Sequence, residues 1–298
     1  IGGNFSGVGM EIGIRNDQLV VIAPLKDSPA EKAGILSGDM ILKIDDKATD
    51  GVNISQAVQI IRGEAGTKII LNILRKGWTK PKDFTITRAS INIPTVDYEM
   101  KGDVAYVQLY SFDGNTDTAF YNAMREVLID KKAKGMVLDM RNNPGGYLDV
   151  AVNLAGWFIP RGNVVVKEKY ADGKVDVFKA NGNGALKDLP VVVIINGGSA
   201  SAAEILAGAL KVNRKVKLIG EKSFGKGSVQ ELQTLKDDSA IKVTVAKWLL
   251  PDDSAIDKIG IVPDVTVTLT ESDISSGLDP QLDKALELIH KQLEQLGK

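Results

Sequence analysis

Residues 191–205 read Val191-Val192-Val193-Ile194-Ile195-Asn196-Gly197-Gly198-Ser199-Ala200-Ser201-Ala202-Ala203-Glu204-Ile205. Five consecutive β-branched apolar residues predict a strand buried on both faces. Asn196-Gly197-Gly198 ends it in a turn, and a helix is expected over 201–211. A strand that turns through glycines into a helix lifts a serine hydroxyl onto the end of a sheet, beside the open amides of a helix start. Downstream, Phe224-Gly225-Lys226-Gly227-Ser228-Val229-Gln230 sets a lysine in a loop of small residues, 25 positions after Ser201.

A serine hydroxyl is a weak nucleophile until a base takes its proton. The chain has no cysteine, and its one histidine, His290, falls in an expected terminal helix. Lysine is the remaining natural base. Its pKa must come down from about 10.4 by about 3 to work near neutral pH, a cost of about 4 kcal/mol. Burial without a carboxylate partner has that effect. The segment 223–228 carries no acid, and none follows before Glu231, so Lys226 is expected buried and unpaired by charge. Gln230 then supports the amine through a neutral amide. Oxyanion donors are expected from the Ala202 N–H and from Arg141-Asn142-Asn143-Pro144-Gly145-Gly146, where paired glycines allow close backbone approach. Ser199 is the alternative nucleophile, with Ser201 then only a helix cap. Asp139 reads as a strand-end partner of Arg141, and Glu204 as a helix-start carboxylate.

Strand and helix patterns alternate from residue 92: strands over 105–109, 135–140, 190–195, 217–220 and 240–249, a hairpin over 164–178 around Asp172-Gly173, and helices over 117–130, 148–158 and 280–296. Repeated β–α units imply an α/β core with a largely parallel sheet, whose chemistry sits at the carboxyl ends of strands. Before residue 92 the patterns are short strands over 9–14, 19–23, 40–44, 69–75 and 83–87, with helices over 30–33 and 55–61. Ser28-Pro29-Ala30-Glu31 is a capped start and Gly34 a stop, while Ser55 and Gly63 are expected to bound the second helix.

The 298 residues suffice for two domains, with 44% hydrophobic and 25% charged residues and a formal net charge of −1. That balance excludes an electrostatic grip on nucleic acid or anionic membrane. No apolar run approaches the roughly 18 residues that span a bilayer. No secretory leader is visible, and the chain begins at Ile1 rather than at methionine. No metal or other cofactor is expected.

Residues 5–91 resemble a PDZ domain. The likeness rests on Gly7-Val8-Gly9-Met10-Glu11-Ile12, on Ser28 to Ile35, and on Gly38-Asp39-Met40-Ile41-Leu42-Lys43-Ile44. Such a fold (α+β) takes a peptide tail as an added strand, its carboxylate in a backbone nest. The pocket is expected from Val8, Gly9, Met10 and Ile12 facing Val58 and Ile61, with Arg62 beside the groove as a reporter of occupancy. Residues 92–298, with Leu138-Asp139-Met140-Arg141-Asn142-Asn143-Pro144-Gly145-Gly146, the 198–205 stretch, Gly225-Lys226-Gly227 with Gln230, Gly260-Ile261-Val262-Pro263-Asp264 and the tail 278–286, resemble the carboxy-terminal processing peptidases, or tail-specific proteases.

The resemblance covers essentially the whole chain. It implies a ClpP/crotonase-like α/β core and a serine endopeptidase acting through an acyl-enzyme. Ser201 maps to the nucleophile, Lys226 to the base, Gln230 to its support, and Ala202 with Gly145 or Gly146 to the oxyanion donors. It implies protein or peptide substrates with apolar C-terminal tails, an extracytoplasmic setting, membrane contact only through segments outside this chain, and leaves a homo-oligomer open. Residues 250–258 replace a more glycine-containing, less acidic loop of the family, so side-chain preference is not carried over. An inactive peptide-binding scaffold and a crotonase-like acyl-CoA enzyme are the rival readings.

Overall fold

The computed structural model describes residues 5–91, 95–234, 240–270, 272–273 and 276–297. Its amino-terminal part has strands β1 (Phe5–Gly7), β2 (Met10–Arg15) and β3 (Gln18–Pro24), helix α1 (Pro29–Lys32), β4 (Met40–Ile44), β5 (Lys47–Ala48), α2 (Ile54–Ile61), β6 (Lys68–Leu74), β7 (Lys82–Thr87) and β8 (Ala89–Ile91). The antiparallel sheet runs β2-β3-β4-β6-β7, with β5 on β4, and β1 pairs β8 separately. Strand β2 is therefore an edge, the position a tail peptide would extend. Val8, Ile12, Ile61, Leu71 and Ile86 belong to one buried cluster, with Met10 and Val58 half-buried against it.

Helix α1 starts as expected, with Ser28 Oγ accepting the Glu31 N–H at 3.2 Å, and ends on Gly34 at φ +84°. Helix α2 ends at Ile61 as expected, but its start differs. Its cap is Asn53, not Ser55: Asn53 Oδ1 accepts the Gln56 N–H at 2.9 Å, and Gln56 Oε1 accepts the Asn53 N–H at 3.0 Å. The reciprocal pair satisfies two donors, which a serine already inside the first turn cannot do. At the other end Gly63 is not left-handed. Arg88 donates to the Ile61 and Ile60 carbonyls at 2.8 and 3.1 Å, and a Cβ on residue 63 would lie 2.9 Å from Arg88 Nε. The glycine makes room for a capping guanidinium.

The second part contains β9 (Val96–Lys101), β10 (Val104–Leu109), α3 (Thr116–Arg125) running into a π-turn (Glu126–Asp130), β11 (Gly135–Asp139), α4 (Leu148–Phe158), β12 (Val164–Tyr170), β13 (Val175–Lys179), β14 (Val191–Ile195), α5 (Ala202–Arg214), β15 (Lys217–Gly220), β16 (Ser228–Thr234), β17 (Ala240–Leu249), β18 (Val265–Thr266) and α6 (Pro280–Gln295). Its main sheet runs β18-β15-β14-β11-β10-β9. Every pairing is parallel except β9 with β10. Alternation sorts the strands' side chains. Leu138, Val193, Ile195 and Leu218 join the core beneath α3, α4 and α5. Val137, Val192, Ile194 and Ile219 meet Ala285, Ile289 and Leu293 of α6 on the other face. A second sheet, β13-β12-β17-β16, is antiparallel and holds the expected hairpin at Gly173, φ +90°.

Strands β11 and β14 pair in register from Met136↔Val191 to Asp139↔Ile194. Their carboxyl ends therefore release the 140–147 and 196–201 loops side by side, as the α/β rule requires.

Candidate active site

Asn196, the first residue after β14, stitches these two loops together. Its Oδ1 accepts the Gly198 and Asn142 N–H groups, and its Nδ2 donates to Asn142 Oδ1, each at 2.9 Å. The Ala200 N–H bonds the Asn143 carbonyl at 2.9 Å. Ser199 is fully buried, and its Oγ is committed on both sides, donating to the Met140 carbonyl at 2.8 Å and accepting the Asn196 N–H at 2.9 Å. A hydroxyl so engaged shapes the turn.

Ser201 stands at the amino-terminal cap of α5 with φ 54° and ψ −117°. That conformation is rare for a residue with a Cβ and stores about 1–3 kcal/mol, a cost met mainly at functional turns. The Ala202 N–H, first in the helix, has no intrahelical acceptor. Gly145 closes against this elbow at φ +94°; a Cβ there would lie 2.6 Å from Ala200 O, 2.8 Å from Ser201 Cβ and 2.9 Å from Ala202 N. The Gly145 N–H is already given to Asn143 Oδ1 at 2.9 Å. Among the described residues no acceptor takes the Gly146 N–H, which leaves Gly146 and Ala202 as the open donors of the three.

The lysine loop is anchored to the same elbow. The Phe224 N–H bonds the Ser199 carbonyl at 2.9 Å. Fully buried Glu204 accepts the Ser201 N–H at 2.9 Å and, from the loop, the Ser223 hydroxyl at 2.5 Å, the Gly225 N–H at 2.7 Å and the Lys226 N–H at 2.9 Å. Burial pushes the Glu204 carboxyl above the ordinary glutamate range, while these four bonds favour the charged form.

The side chain of Lys226 does not meet the expectation of burial away from acids. It is 44% exposed, and its Nζ donates to Glu11 Oε1 at 2.7 Å. The acid comes from β2, 215 positions earlier in the chain, out of reach of any local reading. Three alternate residues of β2 face the loop. Beyond Glu11, the position a Cβ would take on Gly13 lies 3.6 Å from Phe224 Cζ. Arg15 Nη2 donates to the Phe224 carbonyl at 2.5 Å, with its guanidinium 4.5 Å from the ring centroid. The expected sites do not include Glu11 and Arg15, whose partners lie more than 200 positions away; their alternation with Met10, Ile12 and Ile14 on β2 is the sequence signal that they face away from the groove. Gln230 sits exposed on β16, beside a bulge, and among the described residues makes no side-chain bond to Lys226.

In the first part, Gly9 has φ +73°, and a Cβ on it would lie 2.4 Å from Ser28 Cβ. Val8 is buried, and its carbonyl accepts the Ala30 N–H at 2.8 Å. Arg62 is the extended residue that closes α2. Asp139 pairs Arg141 as expected, at 2.6 Å, and Arg141 also grips Asp279, the cap of α6, at 2.7 Å. Burial alone would raise the Asp279 carboxyl, but Arg141 holds it below the usual aspartate range. This pair fastens the loop that carries Gly145 to the terminal helix.

Residues 103–267 match Peptidase family S41, and residues 20–75 match the PDZ domain. The chain is 39% identical over 286 residues to a carboxy-terminal-processing protease of Bartonella bacilliformis, covering 95% of this chain and 66% of that one. It is 40% identical over 272 residues to the carboxy-terminal processing protease CtpA of Bacillus subtilis, covering 91% and 58%. It thus spans about two thirds or less of the length of these two curated relatives. Among solved structures, a photosystem II D1 C-terminal processing protease superposes with a TM-score of 0.84 at 34% identity, covering 90% of this chain and 73% of that one. The expected likeness to the carboxy-terminal processing peptidases therefore holds, and the chain belongs to peptidase family S41, with a PDZ domain in its amino-terminal part.

Proposed function

We propose that this chain is a serine endopeptidase with two working units, 5–91 and 92–298. The first takes the C-terminal tail of a protein along β2 and α2, and the second cuts the polypeptide through an acyl-enzyme. Ser201 Oγ attacks the scissile carbonyl, and the neutral amine of Lys226 takes its proton and passes it to the leaving amine. The same amine then activates water to free the acyl group. Gln230 supports the amine, and the Gly146 and Ala202 N–H groups stabilise the oxyanion, each such donor being worth about 100- to 1,000-fold in rate. The observation that carries this reading is the strained backbone of Ser201, φ 54°, packed against Gly145 at the carboxyl end of the sheet. Setting the reaction outside the cytoplasm rests on family likeness alone.

The test compares unfolded proteins that differ only in the last residues. Mass spectrometry of the products should find an apolar tail cut several-fold faster than a charged one. Equal rates would remove the tail-reading role from the PDZ pocket of Val8, Gly9, Met10, Ile12, Val58, Ile61 and Arg62.

The ion pair with Glu11 makes this arrangement a resting one, because the amine is engaged by a carboxylate of β2 and must leave it to serve Ser201. A tail adding to the β2 edge works on the strand that holds Glu11 and Arg15, so occupancy of the groove frees Lys226. The pair is half-exposed, 44% and 33%, so its strength is small, about 0–1 kcal/mol. Glu11→Gln should raise turnover of a short chromogenic peptide by up to about fivefold and reduce its response to an added tail peptide. Unchanged basal turnover would exclude Glu11 as the restraint.

A further inference from the structure

We infer that Glu204 is a positioning residue that holds the strained nucleophile and the lysine loop in one register. This rests on the Ser201–Lys226 reading above. A helix-capping glutamate ordinarily reaches back to one backbone amide. Glu204 does that, accepting the Ser201 N–H, and also binds three donors of the 223–226 segment. Its Oε2 takes the backbone N–H groups of both Ser201 and Lys226, each at 2.9 Å, so one oxygen atom bridges the residues that supply nucleophile and base. Its Oε1 takes the Ser223 hydroxyl and the Gly225 N–H. Ser223 Oγ in turn accepts the Ile261 N–H at 2.6 Å, which ties the loop down from its far side.

The chemistry favours a carboxylate here. Four donors converge on it, and these bonds offset the loss of water around a fully buried carboxylate. It sits in the first turn of α5, where negative charge is stabilised by the helix dipole. Through the Ser201 amide it holds a backbone conformation that costs energy, and through the Lys226 amide it sets where that side chain begins. When Lys226 leaves Glu11, its backbone anchor stays in place, so the amine swings from a fixed point.

The substitutions separate positioning from folding. In Glu204→Gln the amide oxygen keeps the Ser201 and Lys226 bonds. The NH2 turns to Ser223, whose hydroxyl rotates to accept it, and the Gly225 N–H loses its acceptor. One lost charge-assisted bond predicts a kcat about tenfold lower. Glu204→Ala removes every bond, and a misplacement near 1 Å predicts a loss of about 100-fold or more. Ser223→Ala, a change at a buried hydroxyl that bonds Glu204 and Ile261, should lower kcat in the same direction with Glu204 intact.

The experiment measures kcat and KM per active site, with sites counted from the acyl burst on an ester substrate. Expected is a fall in kcat graded alanine below glutamine below wild type, with KM within about twofold, since no substrate contact is lost. Should Glu204→Ala not fold, Glu204→Gln and Ser223→Ala give the same reading. Unchanged kcat per titrated site, with only the number of sites reduced, would make Glu204 a folding residue and overturn the inference. Ser201→Ala serves as the control: activity surviving in that variant defeats the Ser201–Lys226 reading itself, a different failure from a silent Glu204.

Discussion

Ser201→Ala is expected to lower kcat by on the order of 10⁴- to 10⁶-fold, the usual consequence of removing the nucleophile from a serine hydrolase. Fold and stability should survive. Alanine keeps the Cβ, so the backbone at φ 54° and ψ −117° carries the same strain. The Ser201 bond to Glu204 is made by the backbone N–H and is untouched. Ser201→Gly, equally inactive, should be more stable than wild type by about 1–2 kcal/mol, because glycine adopts this region freely. Inactivity with raised stability is the signature of strain kept for chemistry, and a urea melt measures it. Ser199→Ala, in contrast, breaks the buried bonds to Met140 and Asn196 and should cost stability first.

Lys226→Ala is expected to lower kcat on a scale comparable to the loss of the nucleophile. Lys226→Arg should not restore it, because a guanidinium does not give up its proton in a protein. The side chain is half-exposed in its resting pair with Glu11, so stability should change by less than about 1 kcal/mol. The double variant of Ser201 and Lys226 should be about as slow as either single one, since the two act as a unit. Stopped assays on an unfolded substrate, with products identified by mass, measure all three. Turnover near the wild-type rate in Lys226→Ala would pass the base role to another group.

Where the fold was legible, the signal was local and strong. The run 191–195 announced a strand buried on both faces, and β14 is one. The glycine turn after it announced the elbow, and α4, β15 and β17 carry the bounds their patterns suggested. The missed elements have weak patterns or depend on distant partners. Strands β9 and β16 mix charged and apolar residues, and β5 and β18 are two residues each. The cap of α2 moved to Asn53 because Gln56 completes a reciprocal pair there.

The same division runs through the site. Ser201, Gly145 and Ala202 come together because β11 and β14 are neighbours, which repeated β–α units imply. The surroundings of Lys226 depart from the local pattern because its carboxylate partner, Glu11, comes from the other half of the chain. The sequence around Glu204 shows only a helix-start carboxylate, since a cap is a local pattern while the loop it grips lies 19 to 22 residues on.

The most direct test is to trap the covalent intermediate. The enzyme is mixed with a peptide ester, opened by Glu11→Gln or an added tail peptide, quenched in acid during turnover, and digested for mass analysis. The expected result is one acyl group on the fragment containing Ser201, lost on brief incubation at neutral pH and absent from Ser201→Ala. An acyl group on Ser199 or elsewhere, or steady turnover with no acyl group on the chain, would contradict the mechanism.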